Sequence, residues 1–131
     1  MTKNTFILSL ALVVTGVAIA ATPASASRNT CKKVYLSADN RTGTIAKVID
    51  LDYQISGYGK KSEPIRNQEI PSGRKWGTER NLEQASGRST YIIVKYRTRK
   101  TRGLGKWSKV KKVTSRPRNC HDRTAYNVVM R

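Results

Sequence analysis

"TIAKVIDLDYQI", residues 44–55, and "STYIIVKYRTRK", residues 89–100, decide the fold of this chain. Both are rich in β-branched and aromatic residues, and both alternate with a period of two, the pattern of a half-buried strand. In the first, Ile45, Ile49, Leu51, Tyr53 and Ile55 share one parity, and Ala46, Val48, Asp50, Asp52 and Gln54 the other. Lys47 interrupts the apolar parity near its start, where a long stem can reach back to water. In the second, Ile92, Val94, Tyr96 and Thr98 predict the core face, and Tyr91, Ile93, Lys95, Arg97 and Arg99 the opposite one.

Outward from these two strands the signals are shorter. Val34, Leu36 and Ala38 predict a first strand, ended by the turn residues of "DNRTG". Asn40-Arg41-Thr42 in that turn also matches a glycosylation acceptor, relevant only in a eukaryotic host. "SGYGKKS" reads as a glycine-rich turn, "EPIRNQEI" as a weak strand, and "PSGRK" as a turn with Pro71 at its second position. A strand from Trp76 to about Glu79 is expected to give way to one irregular or helical turn before Gly87. "TRGLGK" is a hairpin connection, "KWSKVKKVT" the returning strand, "SRPRNCHD" a basic loop and "TAYNVVM" the final strand. The sum is about seven short strands and little helix: an all-β chain, a small antiparallel β-sandwich or barrel.

The first 26 residues stand apart. Lys3 supplies a positive start, Phe6 to Ala21 an apolar stretch, and Ala24-Ser25-Ala26 a small-x-small cleavage site. That is the three-part pattern of a secretory signal peptide, and about sixteen apolar residues fall short of the roughly twenty of a spanning helix. Residues 1–26 are therefore expected to be removed, leaving one secreted domain, 27–131, in a periplasm or an extracellular medium, without a transmembrane anchor. Two cysteines, Cys31 and Cys120, lie near the two ends of that domain. An oxidising compartment predicts a bridge between them. Ile, Leu and Val number only 18 in the 105 residues, so a staple matters to so small a core.

Charge carries the functional signal. Without Lys3 the chain has 25 basic and 8 acidic residues, a net charge of +17. Residues 27–83 hold 11 basic and 7 acidic residues, whereas residues 84–131 hold 14 basic residues against Asp122 alone. The densest stretch, "KYRTRKTRGLGKWSKVKK" over 95–112, has nine bases and no acid. Lys95, Arg97 and Arg99 stand in one row at strand spacing; Lys109 and Lys111, with Trp107 at the same parity, are expected in a neighbouring row, with Arg102 and Lys106 near the tip. Arg116, Arg118 and Arg123 extend the patch. Like charges in adjacent rows repel, and solubility alone would be served by interspersed acids.

Such a ribbon suits a polyanion: an anionic glycan, lipopolysaccharide, an anionic lipid or a nucleic acid, with arginine forks for phosphate, sulfate or carboxylate and Trp107 for stacking. No base-reading motif selects among them. The second reading is a protein-binding module, an enzyme inhibitor or an effector facing an acidic protein. Catalysis is the weakest reading. His121 is the single histidine, no carboxylate lies within 84–121, and a small secreted nuclease would need a base brought from Asp50, Asp52, Glu79 or Glu83. Asp50 and Asp52 share a face, as paired carboxylates or a calcium site would, but the many bases of the chain are the expected partners. The sequence thus predicts a monomeric binding protein with no catalytic residues, metal or cofactor.

Overall fold

The computed structural model describes residues 29–100 and 105–131. The segment expected to be a signal peptide, and Arg102 and Leu104, lie outside the described residues. The described residues form nine strands in order: β1 Cys31–Asn40, β2 Ala46–Ile55, β3 Gly59–Glu63, β4 Gln68–Ile70, β5 Lys75–Leu82, β6 Ser89–Thr98, β7 Lys111–Thr114, β8 Arg118–Asn119 and β9 Ala125–Met130. A three-stranded sheet in the order β5-β1-β9 faces a six-stranded sheet built on β3-β2-β6-β7, with β4 also on β2 and β8 also on β6. The two sheets are not joined by a ladder, so the fold is a sandwich and not a closed barrel.

The core between them is made by alternate residues of both sheets: Val34, Leu36 and Ala38 of β1, Leu51, Tyr53 and Ile55 of β2, Ile92, Val94 and Tyr96 of β6, and Tyr126, Val128 and Met130 of β9. All are nearly inaccessible. Full burial of an aliphatic side chain of this size is worth about 1.5–3 kcal/mol. The faces expected for β6 hold throughout.

β2 departs from its expected faces. Val48 pairs with Tyr96, but the next pair is Asp50 with Lys95, so Ile49 is an extra residue in the ladder. Such a β-bulge reverses which parity faces the core. Ala46 and Val48 are therefore fully buried before it, and Leu51, Tyr53 and Ile55 after it. Ile45 and Ile49 do not share the core face, and Lys47 lies on the outer face with no need to reach around.

Other boundaries shift for local reasons. The expected glycine-rich turn shortens to Ser56–Tyr58, and β3 begins at Gly59. β5 runs on to Leu82, past the irregular turn expected after Glu79, because it pairs with β1 along almost its whole length. β1 makes room with a bulge of its own: Lys33 has φ 53°, and its N–H donates to Asn81 Oδ1 at 3.0 Å. β1 and β9 run parallel, whereas every other pairing between the named strands is antiparallel.

Two contacts fix the connections. Asn40 is fully buried; its amide donates to the carbonyls of Thr44 and Ile70, and its Oδ1 accepts from the Thr42 N–H and hydroxyl, at 2.7–3.0 Å. That consumption of the side chain accounts for the turn and leaves no exposed amide for a glycan. On the outer face of the smaller sheet the Tyr35 ring lies across Gly77, where a Cβ would collide with its hydroxyl and ring.

The Cys31–Cys120 disulfide is formed, with both residues inaccessible and a sequence separation of 89. It joins the start of β1 to the segment leading into β9, next to the parallel pair. In the chain-entropy account a loop of this length stabilises by about 4–5 kcal/mol, most of what a domain this small retains. A Cys31→Ala/Cys120→Ala variant should lose about that amount in urea unfolding, with a steeper urea slope than the oxidised protein because its unfolded chain is no longer cross-linked.

Candidate functional site

The outer face of the six-stranded sheet carries the charged rows. Across β2, β6 and β7 one row reads Asp50, Lys95, Lys112, and the next toward the hairpin pairs Lys47 with Arg97. Beyond it Arg99 pairs with Trp107 in an isolated bridge. Between that bridge and β7 the register slips by one residue. Ser108 absorbs the slip: its N–H donates to the Thr98 carbonyl at 2.7 Å, and its hydroxyl accepts the Thr98 N–H at 3.0 Å. Lys112 therefore stands opposite Lys95. Lys111 sits opposite Tyr96, at the parity of the inner face, although exposed, and Lys109 lies outside the ladder. The two lysines expected to form the neighbouring row do not form it.

The face is neutral at one end and cationic at the other. Lys95 Nζ lies 2.6 Å from Asp50 and 3.9 Å from Asp52, and Asp52, itself buried, also meets Lys60 at 3.2 Å. The hydrogen bond and charge of Asp50 hold the Lys95 ammonium above the ordinary lysine range. Lys95 is thus committed to the fold, and the two aspartates serve as its partners. At the other end Arg97 is exposed, with Lys106 and Lys109 beyond it. Lys47 sits 4.2 Å and the Arg99 guanidinium 5.0 Å from the centre of the Trp107 ring, while Lys47 also meets Glu69 at 3.3 Å. Lys47, Ile49, Asn67, Arg97 and Trp107 line a shallow depression of about 290 Å³. A base or sugar stacking on Trp107 would have to displace one of the two cations that already cover it.

Lys47 and Lys112 are the members of this surface that sequence reasoning missed. Lys47 was visible as a lysine out of place on an apolar parity, which is the signature a bulge leaves. Lys112 had no such mark, because a one-residue slip beside Ser108 is invisible to periodicity.

Two clefts open where the sheets part. At the β3–β5 side, Tyr53, Lys61, Ser62, Glu63, Pro64, Asn81 and Glu83 line about 520 Å³. Burial pushes the Glu63 carboxyl above its usual range, against the pull of Arg80 at 3.6 Å. Burial also takes the Tyr53 phenol up to about 12, and its hydroxyl donates to the Glu83 carbonyl at 3.3 Å. At the opposite side Arg116 and Arg118 line a second cleft beside β9, so they form no continuation of the sheet-face rows. His121 is exposed and lines none of these clefts, and its backbone N–H donates to the Thr124 hydroxyl at 2.9 Å.

No protein-family model, curated protein or solved structure matches this chain.

Two outcomes follow from the geometry. Lys95→Glu sets a third carboxylate beside Asp50 and Asp52 and should lower the melting temperature well below that of Arg97→Glu, whose site has no carboxylate to repel. Glu63 has a raised pKa in the folded state, so its contribution to stability is complete below the unfolded value and is lost as pH rises through the folded one. Glu63→Gln should match the wild type near pH 4 and exceed it at pH 7, measured as urea midpoints.

Proposed function

We propose that this protein is a secreted, non-catalytic module that binds a polyanion on the cationic end of its six-stranded sheet. The ligand class is an anionic glycan, lipopolysaccharide, anionic lipid or nucleic acid. One observation carries the reading: none of the ion pairs of the described residues reaches the exposed bases Arg97, Lys106, Lys109, Lys111 and Lys112. All eight acids lie among the described residues. The ion pairs among those residues join acids from Asp39 to Glu83 with bases from Arg41 to Lys95. Asp122 instead accepts the Lys32 backbone N–H at 2.8 Å. Arg97, Lys106, Lys109, Lys111 and Lys112 are exposed and have no carboxylate within ion-pair distance. A solvated surface of mixed charge would have distributed its acids; here five bases without an ion pair fall within residues 97–112, on β6, on β7 and between them.

Rigidity adds to the charge. Arg97 sits on a ten-residue strand inside the sheet, so its backbone position and the face it belongs to are set before the ligand arrives. Release of counterions from the polyanion supplies the driving force, and no base-specific contact is required. Secretion is supported by the signal-peptide pattern and the buried disulfide, and by the absence, among the described residues, of a helix long and apolar enough to cross a membrane. A net charge this high also opposes self-association, which supports a monomer.

Heparin chromatography beside a simple cation exchanger tests the proposal. The oxidised protein should elute later from heparin. Four contacts, from Arg97, Lys106, Lys109 and Lys112, imply a loss of affinity of roughly 10²-fold between 50 and 200 mM salt. Arg97→Glu/Lys109→Glu/Lys112→Glu should fold and elute from heparin no later than from the exchanger. Equal elution of the wild type from both columns would reject the proposal.

A further inference from the structure

Every open-edge strand of this sandwich but one carries charge. β3 is "GKKSE", β5 "KWGTERNL" and β7 "KKVT", and the short β4 and β8 hold Glu69 and Arg118. Lysines and charges on edges are the usual protection against unwanted strand pairing. β9, "AYNVVM", has none, in a chain where one residue in four is charged. Among the described residues it pairs with β1 alone, and its other edge is open there.

The hydrogen-bonding groups of that edge can be assigned. The Tyr35 and Arg41 N–H groups donate to the carbonyls of Thr124 and Met130, both at 2.9 Å, so even-numbered residues of this strand face β1. Ala125, Asn127 and Val129 therefore direct their N–H and C=O groups away from it. The Ala125 carbonyl accepts from Arg118 at 3.3 Å, as that direction requires. Beside this edge lies the cleft of about 240 Å³ lined by Ser115, Arg116, Arg118, Ala125, Tyr126 and Asn127. Arg116 and Arg118 are exposed there, with no carboxylate within ion-pair distance.

We infer that β9 is a docking edge for an extended acidic peptide segment of a partner protein, which adds as a fourth strand to the smaller sheet. About five residues of the partner pair with the edge from Ala125 to Val129. Its side chains alternate in direction, so acidic residues at every second position face Arg116 and Arg118. The main-chain edge selects a peptide: a glycan or phosphodiester presents no alternating N–H and C=O groups to match it. Charge selects against a second copy of this chain, since pairing β9 with β9 brings two strongly cationic domains together. The site is separate from the sheet face proposed to bind polyanions.

The probe is an acetylated, amidated heptapeptide alternating Asp with Val, followed by ¹⁵N NMR. Saturable binding should slow amide exchange at Asn127 and Val129. N-methylation of the peptide amides on the pairing side should weaken binding at least tenfold at unchanged charge. Val129→Pro removes an outward N–H without breaking a β1 bond, and should weaken binding as much while heparin elution stays as in the wild type. Should that variant fail to fold, the N-methylated peptide on the wild type decides. Absence of binding, or equal binding of the N-methylated peptide, overturns the inference and leaves at most charge attraction. Concentration-dependent dimers in sedimentation, abolished by Val129→Pro, also overturn it and make the occupant a second copy. Loss of heparin retention with peptide binding intact would count against the polyanion reading alone.

Discussion

The ladder between β2 and β6, broken by one extra residue at Ile49, sets both the core and the charged surface. On the inner side it presents Leu51, Tyr53 and Ile55 against Ile92 and Val94. On the outer side the same register places Asp50 against Lys95 and Lys47 against Arg97. A sheet cannot move one of these sets without the other, because side chains alternate strictly between faces. The bulge is what reconciles them: without it, Ala46 and Val48 would point to water and Lys47 into the core.

The acids of β2 therefore have a structural task. Asp50 and Asp52 neutralise Lys95 in the middle of the face and leave the cationic end beyond it uncompensated. Exposed ion pairs contribute little individually, but here one carboxylate is buried, and removing its partners would strand a charge in the sheet. The small core tolerates this because the ends of the chain are tied. The disulfide clamps the segment preceding β9 against the start of β1, and the parallel β1–β9 pair closes the smaller sheet on that clamp.

The sequence displayed most of this fold. The faces of β6 followed from a clean alternation of Ile92, Val94, Tyr96 and Thr98 with their neighbours, and the bridge from two cysteines near the ends of a chain expected to be secreted. What it concealed were departures from period two. The bulges at Lys33 and Ile49 and the slip beside Ser108 each insert one residue, and only the one at Ile49 left a trace in the periodic pattern, Lys47 on an apolar parity. The expected lysine row failed at that slip, because Lys111 and Lys112 exchange faces when a single residue is gained. The pairing of Lys95 was hidden for a different reason: its partners lie 45 and 43 positions earlier, on a strand whose acids were visible but whose register was not.

The two surfaces also differ in what they demand of a partner. A flat sheet face with fixed cations and an indole already covered by two of them selects on charge density more than on shape. An uncharged edge beside two arginines selects on backbone geometry first and on charge second. Long-range attraction by the whole +17 domain serves both, since it raises the local concentration of any acidic partner. Selection then falls to short-range chemistry, and there the surfaces do not compete: β9 is on the smaller sheet, and its hydrogen-bonding edge turns away from β1, while Arg97 and Lys112 stand on the outside of the larger sheet. If both proposals hold, the domain carries an anionic polymer and a protein segment at the same time, on surfaces the sandwich keeps apart.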